Sequence, residues 1–315
     1  MTGQFPGRLS VVIAVQHAED NLPDVLSALR LDAHPEVEFL FCHTPADPRT
    51  PELVGEGENL RVLRSPSGSL IPCLWRDGIL AARGERVATT TAHCIPAADW
   101  VERLAAAELD GETVGVGGTI GNAPDSDAMG WAAYLLRYAA FAPPRPAASE
   151  VHEIAADNAL YRRQDILRHG DLLAQGFWEP SFHARFRAEG LRLSFDPGLR
   201  TLHRNRYTAA QFARQRLAHG REFGLARAGL LQWPKRLLLT LASPGVPLVL
   251  LRRIFRATRG RPGFGEQLPR ASPWLLAFLL SWSAGEARGY AASLLAPGPR
   301  RQRGGAGQSG LGSGR

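Results

Sequence analysis

Lysine is almost absent: 36 of the 37 basic residues are arginine, and Lys235 is the exception. Cysteine is scarce as well. Cys42, Cys73 and Cys94 show no Cys-x-x-Cys spacing, which excludes a zinc ribbon or a disulfide scaffold and suits a reducing compartment. No apolar run reaches the roughly 20 residues of a comfortable bilayer span. The uncharged stretches at residues 237–251 and 273–284 hold 15 and 12 residues, and Ser243-Pro244-Gly245 and Pro247 interrupt the first. The apolar run at residues 9–15 is too short for a signal h-region, so a cytoplasmic location is expected. Acidic residues nearly vanish from the C-terminal part. Residues 201–315 hold 19 basic side chains but only Glu222, Glu266 and Glu286, whereas residues 1–200 hold 18 basic and 27 acidic ones. A GC-rich genome, or selection for arginine itself, accounts for arginine in place of lysine, but codon bias does not account for this division. A region at +16 beside one at −9 points to an anionic partner: lipid head groups, nucleic acid or a phosphorylated substrate. No base-stacking aromatic platform accompanies the basic residues, so nucleic acid is not expected.

What is present is an ordinary globular composition, 44% hydrophobic and 21% charged, in a chain of 315 residues. Short β-branched runs at residues 9–15, 37–42, 60–63 and 86–91 alternate with helical patterns at 22–31, 71–82 and 100–109. This alternation predicts an α/β fold, a mostly parallel sheet with helices on both faces. Ligands bind such sheets at the carboxyl ends of the strands, hence in the loops after Val15, Cys42 and Thr91. Residues 92–98 read as one such loop. The glycines of residues 114–120 lack the order of a dinucleotide loop and suit close backbone approach. Residues 142–148 read as a proline-rich loop over the site, 158–190 as a helix–loop–helix set, and 191–195 and 199–203 as two strands. From residue 208 an arginine-rich helical pattern begins. The two uncharged stretches beside Arg252, Arg253, Arg256, Arg259 and Arg261 suit interfacial or re-entrant helices on an anionic membrane face, or else a buried helical hairpin. The division read from the sequence is residues 1–207, a basic helical region 208–296 and a disordered tail 297–315. A chain cut before residue 232 is expected to keep a folded first domain.

Several segments resemble one family in their order and spacing. Leu9-Ser-Val-Val-Ile-Ala-Val-Gln-His-Ala-Glu-Asp-Asn-Leu resembles the opening of family 2 glycosyltransferases, in which a strand runs into a loop and a helix. Trp75-Arg76-Asp77-Gly78, continuing to Arg83-Gly84-Glu85, is similar to that family's Arg-Asn-x-Gly stretch. Residues 87–100 match the strand that delivers its metal-binding Asp-x-Asp. The likeness continues through Asn158-Ala-Leu-Tyr-Arg-Arg, Trp178-Glu179 with Arg185, and Asp196-Pro-Gly-Leu-Arg-Thr-Leu-His203. It covers roughly residues 9–223. Gly285-Glu286-Ala-Arg-Gly289-Tyr290 resembles a C-terminal element of membrane-associated members.

The resemblance implies a GT-A-like, Rossmann-related fold followed by an α-helical C-terminal region. It implies an inverting, hexosyl-transferring enzyme at the inner face of the cell membrane, using a nucleotide-sugar donor and a saccharide or lipid-linked acceptor. Glu179 stands at the position of the general base, with a helix-capping glutamate as the alternative. Ala14, Glu19, Arg76, Thr91 and His93 fall at donor or diphosphate positions. Arg76 also reads as a plain solvated helix residue. Asn158 and Arg185 are expected to meet the acceptor, Asn158 alternatively tightening a turn. Arg214-Gln215-Arg216, followed by Gly220-Arg221, suits an anionic acceptor or else a plain solvated basic helix. The chain departs from the family in two places. Thr91-Ala92-His93 replaces Asp-x-Asp, and Phe41-Cys42-His43-Thr44 lacks the Asp expected for the nucleotide base. His93 and His203 are then the remaining candidates for a divalent metal, Mn²⁺ or Mg²⁺, with altered dependence on it. The missing carboxylates also admit a catalytically degenerate, saccharide- or partner-binding module.

Overall fold

The computed structural model describes residues 8–229 and 231–295, so the tail read from residues 297–315 lies outside the described residues. In chain order the elements are β1 (Leu9–Ala14), α1 (Ala18–Leu29), β2 (Glu38–His43), α2 (Thr50–Val54), β3 (Leu60–Arg64), α3 (Ile71–Ala81), β4 (Arg86–Thr91), β5 (Cys94–Pro96), α4 (Trp100–Ala106), β6 (Thr113–Asn122) and α5 (Ala128–Tyr138). There follow β7 (Ala148–Val151), β8 (Asn158–Arg162), α6 (Arg163–Leu167), α7 (Gly170–Leu173), α8 (Glu179–Ala188), β9 (Arg192–His203), α9 (Ala209–Gly229), α10 (Trp233–Ala242), α11 (Val246–Thr258) and α12 (Phe264–Leu295).

Among the described residues the nine strands form one sheet, ordered β3-β2-β1-β4-β8-β6-β9-β5, with β7 also paired to β9. The first four are parallel, as their helical crossovers require. β8 enters antiparallel between β4 and β6. β9 runs parallel to β6 and antiparallel to β5 and β7. The sheet is therefore mixed, its parallel half lying at the N-terminal edge. β1 shows why its sequence is continuously apolar: it is buried on both faces. Val11, Ile13 and Val15 belong to one core with Leu22, Val25, Trp100 and Leu104, whereas Val12 and Ala14 belong to the core on the other face with Leu74, Trp75, Phe182 and Phe186. Gly118 illustrates the close backbone approach expected of the glycine-rich strand. A Cβ there would stand 1.9 Å from the Leu199 carbonyl oxygen.

Several local expectations are corrected. Residues 92–98 contain β5, a three-residue strand too short to leave a periodic signal. Asn158–Arg162 is a strand rather than a helix, because both faces of its five residues are covered and no period is visible. The two strands expected at 191–203 are one, β9, whose pairing with β6 shifts register where Asp196, Pro197 and Gly198 pass Gly118 and Thr119. The proline-rich loop at 142–148 is held against the far part of the sheet. Arg145 lies 4.0 Å above the Phe195 ring, and Arg261 donates to the Ala142 carbonyl at 2.6 Å.

The C-terminal helices pack differently from the sheet. α9 opens on a capping box, with Thr208 N–H donating to Gln211 Oε1 at 2.8 Å and Gln211 N–H to Thr208 Oγ1 at 3.3 Å. α9 and α12 meet through Gly220-x-x-x-Gly224 and Gly285-x-x-x-Gly289. A Cβ at Gly220 would lie 2.2 Å from the Trp282 carbonyl oxygen, and one at Gly285 would lie 2.1 Å from that of Leu217. Only glycine permits backbones this close, a mode common between membrane helices. The prolines do not break the 237–251 stretch. Pro234, Pro244 and Pro247 sit in the first turns of α10, a 3₁₀ turn at Ser243–Gly245, and α11, where no N–H donor is needed. The result is a 26-residue helical run, Trp233–Thr258, long and apolar enough by length and composition to cross a membrane, with 17% of its apolar window buried. Trp233, Leu238, Leu241, Leu248, Val249 and Phe255 are exposed on it. The helices do not form a separate core. Tyr134, Tyr138 and Phe195 share one cluster with Phe212, Leu275 and Phe278, so a cut before residue 232 would strip apolar cover from the sheet domain.

Candidate active site

Two hollows compete for attention. The larger, about 1170 Å³, lies at the edge of the sheet where β4 begins and β8 ends, beside Arg86, Arg162 and Arg163. Those arginines are committed to backbone carbonyls. Arg86 donates to Ala105 at 3.1 Å, Arg162 to Thr113 at 3.1 Å, and Arg163 to Ile79 at 2.9 Å. This edge is opposite the carboxyl ends of the parallel strands, where ligands bind such sheets. The other cleft, about 540 Å³, lies at those carboxyl ends, between the sheet domain and the helices. Its sheet-side wall comes from α3, α5, the loop before β8 and the start of α8. Its opposite wall comes from α9, α11 and α12.

Asp157 organises the sheet-side wall. Its Oδ1 accepts from Arg137 Nη2 at 2.7 Å, from the Tyr138 hydroxyl at 2.7 Å and from Thr91 Oγ1 at 3.2 Å. Its carbonyl oxygen accepts from Thr90 Oγ1 at 2.9 Å, which fixes the loop to the end of β4. Burial works against the charge of Arg137. The oxygens of Tyr138 and Asp157 outweigh it, and the guanidinium pKa is raised. Glu179 begins α8 and is partly exposed to the cleft, its Oε1 accepting from the Ala156 N–H at 3.3 Å. Burial of the carboxyl, then the neighbouring Asp157 charge, push its pKa up to about 7. A carboxyl poised near neutrality can take a proton at physiological pH. His183 beside it hydrogen-bonds the Tyr161 hydroxyl at 3.0 Å, and burial holds its pKa down at about 3, so the ring is neutral.

The helical wall brings Arg216 and His219. Arg216 is 5% exposed, donates to Gln215 Oε1 at 2.9 Å, and lies 4.9 Å from the Phe212 ring centre. Burial, then Arg137, lower its pKa to about 9. His219 is buried with Nε2 unpaired, and burial followed by Arg216 lowers its pKa well below the usual value. Trp178 stands against His219 and Phe223 at ring distances of 6.1 and 6.0 Å, joining the two walls.

The loops after β1 and β4 hold a second polar network. Asn21 Nδ2 donates to His93 Nδ1 at 3.0 Å, which leaves the imidazole proton on Nε2, 2.7 Å from the Tyr207 hydroxyl. Gln215 donates to that same hydroxyl at 2.7 Å and to Gln16 Oε1 at 3.1 Å. Tyr207 also stands edge-on to His17 at 4.7 Å. A divalent metal does not fit here. The one lone pair of the His93 imidazole is engaged by Asn21, and burial lowers the His93 pKa to about 3. Thr91 is committed to Asp157. His203 is wedged between Tyr134 and Tyr138, with both ring nitrogens unpaired. Among the described residues no group of three His, Cys, Asp or Glu side chains converges to hold a metal ion.

Of the residues singled out from the sequence, Thr91 and Glu179 meet around Asp157. Ala14 ends β1 inside the core, and its carbonyl accepts from Ala92 N–H at 3.0 Å. The side chain of Glu19 is outside the described residues. Arg76 is tied to Asp77 at 2.8 Å and reaches the Ala174 carbonyl at 3.4 Å, off the cleft. Asn158 does not face an acceptor. It is fully buried, donating to the Thr119 and Leu199 carbonyls at 2.9 and 3.0 Å and accepting from Trp100 Nε1 at 2.7 Å. Arg185 pairs with Asp171 at 3.2 Å, Arg221 pairs with Glu222 at 2.5 Å, and Arg214 is exposed; none of the three lines the cleft. The sequence reading passed over Asp157, Arg137, Tyr138 and His219. One signal was available, since Arg137 is a single charge within an otherwise apolar helix.

The glycosyl transferase family 2 profile matches residues 10–170, half of the chain, and the chain belongs to this family. Glycosyl transfer is the general activity that membership carries. No curated protein matches the chain significantly. Solved structures that resemble it include a mycobacterial protein at 17% identity, covering 69% of this chain and 74% of that one with a TM-score of 0.45. Others are S. aureus TarS residues 1–349 in complex with UDP, at 12% identity over 87% and 91% with a TM-score of 0.47, and the same fragment alone, at 14% over 91% and 90% with a TM-score of 0.47.

Proposed function

We propose that this glycosyltransferase moves a hexosyl group, with inversion, from a nucleotide-sugar donor to a lipid-linked or cell-envelope saccharide at the inner face of the cell membrane. The observation that carries the reading is Glu179, a carboxyl with a pKa of about 7 at the start of α8, open to the cleft. In-line attack needs a base to take the proton of the acceptor hydroxyl as the anomeric bond to the diphosphate breaks. Burial, then the neighbouring Asp157 carboxylate, keep Glu179 basic, and Asp157 is itself held in place by Arg137 and Tyr138. The membrane part of the proposal is supported by the exposed apolar side chains of α10 and α11 beside Lys235, Arg252, Arg253 and Arg256, a combination suited to an anionic lipid surface.

The test is a screen of nucleotide-sugars against membrane-extracted saccharide acceptors, run with the wild type and Glu179→Gln. Transfer by the wild type that falls about 10²–10⁴-fold in the variant supports the reading. The polar network that fills the loops after β1 and β4 favours a second reading, a degenerate module that binds saccharide without transfer. That reading expects no transfer by either protein and equal saccharide binding by both.

A further inference from the structure

Arg216 on α9 is a buried cation. Among the described residues no carboxylate lies within ion-pair distance of Arg216, its Nε is unpaired, and its hydrogen-bonded partner is a neutral amide. Arg137 pairs with Asp157 and Arg253 with Glu153, and Arg227 is exposed, so among the described residues Arg216 is the buried guanidinium of the cleft that lacks a carboxylate partner. The Phe212 and Trp282 rings, 4.9 and 5.8 Å away, accommodate the cation without neutralising it. A charge withdrawn from water with no partner is costly, and an anion arriving beside it removes that cost. The contacts also show where the anion would go. Thr91, at the position where family resemblance places a metal-binding carboxylate, bonds Asp157, and Asp157 bonds Arg137. A positive group thus already stands two hydrogen bonds away from that position, through Asp157.

We propose that Arg216, with Arg137, forms a metal-independent diphosphate subsite in this cleft, the guanidinium groups meeting the phosphoryl oxygens that other members meet with a carboxylate-held cation. The inference rests on the glycosyltransferase reading for the identity of the anion. Arginine suits the task, because its planar fork bonds two phosphoryl oxygens at once. The diphosphate can come from a sugar donor or from a lipid acceptor, and the apolar side of the cleft at Val246 and Leu250 makes the second source a real arm of the test.

The experiment is calorimetric titration of the full chain with UDP, GDP, inorganic pyrophosphate and a micellar polyprenyl diphosphate, in EDTA and again with Mg²⁺ or Mn²⁺. At least one of these probes is expected to bind in EDTA, with affinity changed less than about threefold by metal. Arg216→Met should weaken that binding by about tenfold or more, the scale of a lost charged hydrogen bond. It should also raise the melting temperature of the free protein, because an uncompensated buried charge is gone; a merely structural arginine would lower it. Arg216→Lys, which keeps the charge and loses the fork, should fall between. Preference for a nucleoside diphosphate assigns the subsite to the donor, and preference for the lipid assigns it to the acceptor. Binding lost in EDTA and restored by Mg²⁺, unchanged affinity in Arg216→Met, or no binding of any probe overturns the proposal. Transfer activity is scored separately. Diphosphate binding without transfer leaves the subsite standing and removes the transferase reading, whereas transfer unaffected by Arg216→Met does the reverse.

Discussion

The sheet-side wall of the cleft carries Glu153, Asp157 and Glu179 against one cation, Arg137. The helical wall instead carries Arg216, Arg227 and Arg253, on α9 and α11, against one carboxylate, Glu286 on α12. Asp157 is pinned by three donors on its Oδ1, and Glu179 is held beside it by the Ala156 N–H and the start of α8. The helical residues are held by packing, through glycines on α9 and α12 and aromatic faces around Arg216. The division of charge along the chain, −9 before residue 201 and +16 after, is thus carried into the cleft as two facing walls. The lesson concerns rigidity. A reacting carboxyl needs a fixed position, which strands and hydrogen bonds provide, whereas a surface that meets an anion or a bilayer can be set by helix packing.

That contrast can be broken or sharpened experimentally. Glu179→Gln touches the pinned wall and carries the largest expected effect, a loss of about 10²–10⁴-fold in transfer rate with donor binding retained. Steady-state kinetics would check it, and loss of donor binding in parallel would show that the carboxyl holds the ligand instead. Gly220→Leu touches the packed wall. With the Trp282 carbonyl 2.2 Å from the new Cβ, the helices must separate, and an overpacking cost of about 1–3 kcal/mol should appear in denaturant unfolding. Unchanged stability would mean that α9 and α12 are not locked as described.

A third change addresses the outer side of the helices. Leu241→Glu with Leu248→Glu places two charges on the exposed apolar face, and flotation with anionic vesicles should show binding reduced by about tenfold or more while the melting temperature is kept. Equal flotation would dissociate this face from lipid. The smallest effect is a pH dependence. The folded pKa of Glu179 is raised from 4.5 to about 7, so its contribution to stability is fully present below the unfolded value and is lost as pH rises through 7. Thermal melts should therefore show wild type losing stability relative to Glu179→Gln between pH 5 and pH 8. Curves that stay parallel would place the carboxyl in a more watery setting.

Much of the sheet domain was legible because burial leaves a period. The strands at Leu9–Ala14, Glu38–His43 and Arg86–Thr91 lie where apolar, β-branched runs predicted them. β5 and β8 were not legible, since three and five residues covered on both faces carry no period. Glu179 could be read from its segment, and the structure sets it in the cleft. Asn158 could be read too, but its amide turned out to be saturated by the Thr119 and Leu199 carbonyls, both contributed by strands distant in sequence. The arginines misled for a related reason. Arg214 and Arg216 are two residues apart on one helix, so they point to different sides, and only packing against α12 and the sheet decides which one is buried.

By itself the sequence determined the α/β order and the basic C-terminal part, because each is a property of composition or of local period. Tertiary structure alone decided that Asp157 gathers Thr91, Arg137 and Tyr138, that His93 is closed off by Asn21 and Tyr207, and that Arg216 stands buried without a carboxylate partner among the described residues. Those outcomes depend on contacts between segments tens of residues apart, where desolvation and hydrogen bonding set the charge of each group and no local pattern records them.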